Sequence, residues 1–293
     1  MPHKIKNDQI EITLDLPGEN YTSARFDWSG KIVAVKFEGI SLHGYEDTTR
    51  KKEAKLGRAF YNEFGIETAV GFEETPIGSF FHKIGVGLLK KEHENYSFAH
   101  EYPIEPCKFN ILSAEDSIRF ECLAEPYNGY CYQLIKTVRL SAMGFFIQYY
   151  LINNGKKTII TDEYNHNFIC IAQQAIDKNY KLKFPFPLRP QKFAESLNPA
   201  GVVSFDTQEL GFHAQPKDAF FFSNLSGGNS VPAYWQLENH QTKLAISERG
   251  DFKTSKVNLW GRGDVISPEL FYPIHLEAGQ ACSWSRFYEI KRL

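Results

Sequence analysis

The sequence predicts an all-β fold, an antiparallel sandwich or barrel, on three observations. Apolar and polar residues alternate with period two along most of the chain, and turns rich in Gly, Asn, Pro and Ser recur at short spacing. Helical periodicity is almost absent. Aromatic residues fill 15% of the 293 positions (24 Phe, 15 Tyr, 4 Trp), and such side chains favour strands.

Taken in order, the segment 25–37 reads as two strands around a turn at Ser29 and Gly30. In its second arm Ile32, Ala34 and Lys36 alternate with Val33, Val35 and Phe37. The window 51–64 is the one helix-like stretch, with poor periodicity. A meander fills 130–171. Tyr130, Tyr132, Leu134, Lys136, Val138 and Leu140 share one parity, and residues 141–144 turn the chain. A strand returns over 145–152, the N-N-G-K run at 153–156 predicts a hairpin turn, and the next strand spans 158–171. Further strands are expected at 201–205, 219–222, 233–237, 243–247, 256–260 and 282–290. The proline-rich run at 184–190 reads as a surface loop, because strand spacing is alike on both sides, and the expectation is a single domain over 1–293.

Composition excludes several classes. With 42% hydrophobic residues and a formal net charge of -2, the chain is neither disordered nor equipped with the basic surface that nucleic acid selects. No apolar run reaches the ~18 residues of a membrane span, and no signal-like segment follows the first residues, so a cytoplasmic protein is expected. The odd set Cys107, Cys122, Cys131, Cys170 and Cys282, without a C-x-x-C pair, reads as buried thiols. The G-V-G run at 85–87 lacks the third glycine and following helix of a dinucleotide site. His93 and His100 sit seven apart, which on a strand puts them on opposite faces and argues against a shared metal.

The most informative stretch is T-D-E-Y-N-H-N-F-I-C at 161–170. On a strand, Tyr164, His166, Phe168 and Cys170 share one face, and Asn165, Asn167 and Ile169 the other. Two roles are open to His166: a satisfied, partly buried side chain, or a proton carrier working near neutral pH. The residues alone favour the first, and the dense polar groups around it raise the second.

The N-H-N-F run at 165–168 resembles the Asn-His-x-Tyr/Phe signature of the galactose mutarotase (aldose 1-epimerase) superfamily, and it follows a strand ending in an Asn-Gly turn at 151–155. The segment L-W-G-R-G-D-V-I-S-P-E at 259–269 resembles the one that ends in that family's catalytic glutamate, and I-H-L-E-A-G at 274–279 its closing turn. R-F-D-W-S-G at 25–30, G-R at 57–58, N-E-F-G at 62–65 and the region 81–89 complete a similarity in order and spacing over nearly the whole chain.

This resemblance implies an antiparallel β-supersandwich with an aromatic-walled groove, and cofactor-free interconversion of sugar anomers. It makes His166 the acid and Glu269 the base, on opposite sides of a pyranose. Substrate contacts would come from Arg58, His82 or Lys83, Asn165, Tyr164, Phe168 and Trp260, with Phe81 a further ring and Asp206 and Asp218 candidates for the hydroxyl-binding aspartate. Lys83, Arg58 and Arg262 around one groove would favour an anionic sugar such as a hexose phosphate. The expected partner is a small sugar, with no metal. A non-catalytic carbohydrate-binding protein on the same sandwich is the alternative.

Overall fold

The computed structural model describes residues 3–47, 49–50 and 53–293. Among them the strands form antiparallel sheets of ten, seven, four and three strands, with only two short 3-10 turns. The expected all-β, antiparallel class is what the chain adopts.

The two large sheets face each other across the apolar core. The ten-stranded sheet contributes Leu134, Val138, Phe145, Ile147, Leu237, Ile246, Trp284 and Tyr288, and the seven-stranded sheet Ile12, Ile32, Val35, Phe60, Phe64 and Ile274. In the seven-stranded sheet, Ile159–Phe168 lies between Ala59–Phe64 and the edge strand Tyr272–Leu276. A bridge from Ile169 to Ile266 then joins it to the four-stranded sheet.

The strand Ile159–Phe168 is buried on both faces from Glu163 onward. Its inner face carries Glu163, Asn165 and Asn167 into a polar layer inside the core. Arg286, wholly buried, donates to Glu163 at 2.7 Å and pairs with Glu248. Asn167 Nδ2 donates to Glu248 at 3.1 Å, and the Trp284 indole N–H to Glu163 at 2.9 Å. Such groups are tolerated inside a sandwich because each is paired.

Four sequence expectations are corrected here. The 153–156 run does not close a hairpin. The edge of Gly144–Asn153 is already taken by Ala281–Arg292, so the chain crosses to the other sheet, and Asn153 holds the corner by donating to the carbonyls of Lys157 and Leu276. Residues 25–28 form no strand, because Asp27 and Trp28 donate their N–H groups to Asn62 and Gly85 instead of pairing along Lys31–Phe37. The helix-like window 51–64 becomes the strand Ala59–Phe64, where tertiary pairing overrides a weak local pattern; its residues 51 and 52 lie outside the described residues. Within the proline-rich run, Phe184, Phe186 and Leu188 are buried while Pro185, Pro187 and Arg189 are exposed, so the segment packs on the core as an extended arm.

Candidate functional site

Period-two alternation decides which side chains meet on the outer face of the seven-stranded sheet. Tyr164, His166 and Phe168 point there, and across the ladder their partners are Glu63, Tyr61 and Ala59. The register of Val257–Arg262 with Val265–Leu270 sets Asn258 opposite Glu269 and Trp260 opposite Ser267. Two short stretches far apart in sequence thus meet: His166 Nε2 lies 3.5 Å from Glu269 Oε1.

Rings enclose the imidazole. Phe168 stacks on it at 4.1 Å between centroids, Trp260 meets it edge-on at 5.1 Å, and Phe26 at 6.1 Å. His166 is 4% exposed, Glu269 3%, and His166 Nδ1 has no hydrogen-bond partner. Ser267 orients the carboxyl: its hydroxyl donates to Glu269 Oε1 at 3.2 Å while accepting the Asn167 N–H at 2.9 Å.

Burial sets the electrostatics. Removal from water pushes the Glu269 carboxyl up to about 8, against the opposing pull of the Arg25 cation and the Ser267 hydrogen bond. Burial, helped by Arg25, holds His166 well below its ordinary value of 6.5. Near neutrality the pair is therefore a carboxylic acid beside a neutral imidazole, with one proton between them.

A charged layer stands alongside. Arg25 Nε donates to Glu63 at 2.9 Å, the Tyr164 hydroxyl donates to Glu63 at 2.6 Å, and Lys83 Nζ reaches Glu63 at 3.4 Å and the Tyr96 hydroxyl at 2.8 Å. The Arg25 guanidinium also lies over the Phe98 ring at 4.5 Å. Tyr96 and Phe98 form one wall of a cavity of about 610 Å³. Phe221, Lys256 and Asn258 are among its other lining residues. Its volume falls within the range usual for small-molecule sites. Two other cavities, of about 360 and 270 Å³, lie around Thr22 and Tyr102 and around Arg58, Tyr45 and Tyr61, the last being the cross-strand partner of His166; neither His166 nor Glu269 lines any of the three.

Of the residues expected at a sugar site, the structure brings His166, Glu269, Tyr164, Phe168 and Trp260 together. Tyr164 and Phe168 are fully buried, however, so Trp260, which stays partly exposed, is the one of these rings a ligand can reach. Asn165 turns inward, donating to the Tyr288 hydroxyl and accepting from that of Tyr149, and is scaffold. His82 sits elsewhere, against Tyr130 and Tyr132. Lys83 is buried in the Glu63 cluster, Arg58 pairs with Asp15 at 2.8 Å and Arg262 with Asp47, so the three cations form no common anion site. Phe81 packs within the apolar cluster around Phe72 and Tyr102. Asp206 and Asp218 are exposed in loops.

Sequence reasoning did not single out Arg25, Glu63 and Ser267, although they lie within the stretches 25–30, 62–65 and 259–269 that carry the resemblance, and it missed Tyr96, Phe98, Phe221 and Lys256, which nothing local marks.

No family model matches the chain, and no curated protein matches it. Solved structures do. The GalM/aldose epimerase homologue of C. elegans superposes with TM-score 0.61 at 11% identity, covering 100% of this chain and 99% of that one. A galactose mutarotase-like protein from Lactobacillus casei gives 0.59 at 12%, covering 99% and 100%. One from Clostridium acetobutylicum gives 0.58 at 12%, covering 99% and 95%. The chain has the galactose mutarotase-like β-supersandwich fold.

Proposed function

We propose that this chain is an aldose 1-epimerase-like isomerase that interconverts the α and β anomers of a hexose without a cofactor. The observation that carries the reading is the meeting of His166 and Glu269 at 3.5 Å in a dry, ring-walled site, sharing one proton near neutrality. Ring opening needs an acid for the ring oxygen and a base for the C1 hydroxyl. Glu269, protonated at rest, gives its proton to the ring oxygen as the C1–O bond breaks. Neutral His166 takes the C1 hydroxyl proton as the carbonyl forms. After rotation about C1–C2 the two exchange roles and the ring closes on the other face. This resting assignment is the reverse of the one the resemblance implies, and a reaction that must run both ways tolerates either.

The two groups stand side by side, so the hexose approaches both from one side, where Trp260 is the partly exposed ring against the imidazole. Polarimetry or exchange NMR on neutral and phosphorylated hexoses tests the proposal. Anomer exchange should accelerate with the wild type and fall to background with Glu269→Gln and His166→Gln. No acceleration with any hexose would refute it.

One observation favours a non-catalytic carbohydrate-binding protein: the pair is almost wholly buried and in mutual contact, so no ring passes between its members. Hexose binding without acceleration would select that reading.

A further inference from the structure

We infer that His93 and His100 form a binding site for one divalent first-row metal ion that favours imidazole, such as Ni²⁺, Cu²⁺ or Zn²⁺. The two rings, seven residues apart, would face opposite ways on a strand. The segment carrying them is a loop, however, and it folds back on itself until the ring centroids lie 4.5 Å apart at 34°. With metal–nitrogen bonds of about 2.0–2.1 Å, two imidazoles at right angles round one ion have centroids roughly 4.5 Å apart, and at the tetrahedral angle roughly 5 Å. The observed centroid spacing is that of the right-angle arrangement, so rotation of the side chains would turn one nitrogen of each ring toward a common ion. His93 is exposed and His100 half-buried, so an ion can reach both. Exposed Glu92 and Glu94 flank His93 and add negative charge beside the pair, while Glu101 is already paired with Lys55 at 2.6 Å. Among the described residues no group of three or more His, Cys, Asp or Glu is arranged to hold a metal. The site thus offers two protein ligands, and water fills the remaining positions.

A bound ion would tie together the two ends of the stretch that carries Tyr96 and Phe98. Those side chains anchor the loop on Lys83 and Arg25 and wall the 610 Å³ cavity. The metal site consequently acts as a staple that holds this wall closed, whatever the cavity binds.

Calorimetric titration of the intact chain with Ni²⁺ or Zn²⁺ alone, followed by hydrogen exchange over 94–99, tests both parts. One equivalent of metal should bind, each of His93→Ala and His100→Ala should weaken that binding about tenfold or more, and exchange over 94–99 should slow several-fold only in the metal-loaded wild type. Absence of binding, binding retained by the doubly substituted chain, or binding that leaves exchange unchanged would overturn the inference. His93 is exposed, so His93→Ala leaves the packing intact and serves as the folded control, while His100 meets the buried Tyr102 ring and its variant is checked for an unchanged unfolding midpoint.

Discussion

Replacing Glu269 by Gln keeps the shape of a protonated carboxyl and removes its titration. Burial raises Glu269 from 4.5 to about 8, a gap of about 3.5 units (8 − 4.5), and each unit corresponds to about 1.4 kcal/mol. The folded state thus keeps a proton that the unfolded state has lost. The stability linked to it is complete below pH 4.5 and declines as pH rises toward 8. Wild type should lose stability against the Gln variant steadily across that window, by about 5 kcal/mol in all. His166, held well below 6.5, acts in the opposite sense, since its unfolded form takes up a proton as pH falls through 6.5. Between pH 4.5 and 6.5 the pair therefore binds one proton whether folded or not, and its contribution in the wild type is flat. From 6.5 to about 8 only the folded pair retains its proton, and the wild type should fall by about 2 kcal/mol while the variant stays level. Urea unfolding followed by tryptophan fluorescence at half-unit steps from pH 5 to 8.5 measures both curves. A difference that does not change with pH would mean that the folded pair holds no proton above pH 4.5, and the shared-proton account would be wrong.

If the pair carries catalysis, the epimerase rate should decline above about pH 8 as Glu269 ionises, a limb visible by exchange NMR. Arg286→Met leaves Glu163 and Glu248 buried without their cation and should cost about 3–5 kcal/mol in chemical denaturation. Gly57→Ala places a methyl group 2.4 Å from the Phe168 ring that stacks on His166; the overpacking should cost about 1–3 kcal/mol, read as a lower melting temperature. Trp260→Ala removes a partly exposed ring beside the imidazole and should weaken hexose binding about threefold to tenfold in titration calorimetry.

Alternation along a strand is a local property, and the sequence displays it wherever one face is buried. That is why the strands around Val138, Ile147 and Leu237, and the shared face of Tyr164, His166 and Phe168, were legible without coordinates. Which strands pair is not local. The Asn-Gly run at 153–156 has the chemistry of a hairpin turn, and it becomes a corner between sheets because Ala281–Arg292, more than a hundred residues later, occupies the free edge. His93 and His100 carried the same difficulty, since their separation in sequence has meaning only once the path between them is known. A cation's role depends on its partner in the same way: nothing near Lys83, Arg58 or Arg262 in the chain announces Glu63, Asp15 or Asp47.

By itself the sequence determined the all-β class, the face of the strand that carries His166 and, through the motifs at 165–168 and 259–269, the two side chains that would meet. Only the tertiary structure decided that they meet in contact, shut off from water by Phe168, Trp260 and Phe26, with Arg25 as the nearby cation. Dehydration comes from every element packed around a group at once. The proton therefore rests on Glu269 and not on His166 for a reason that no stretch of sequence contains.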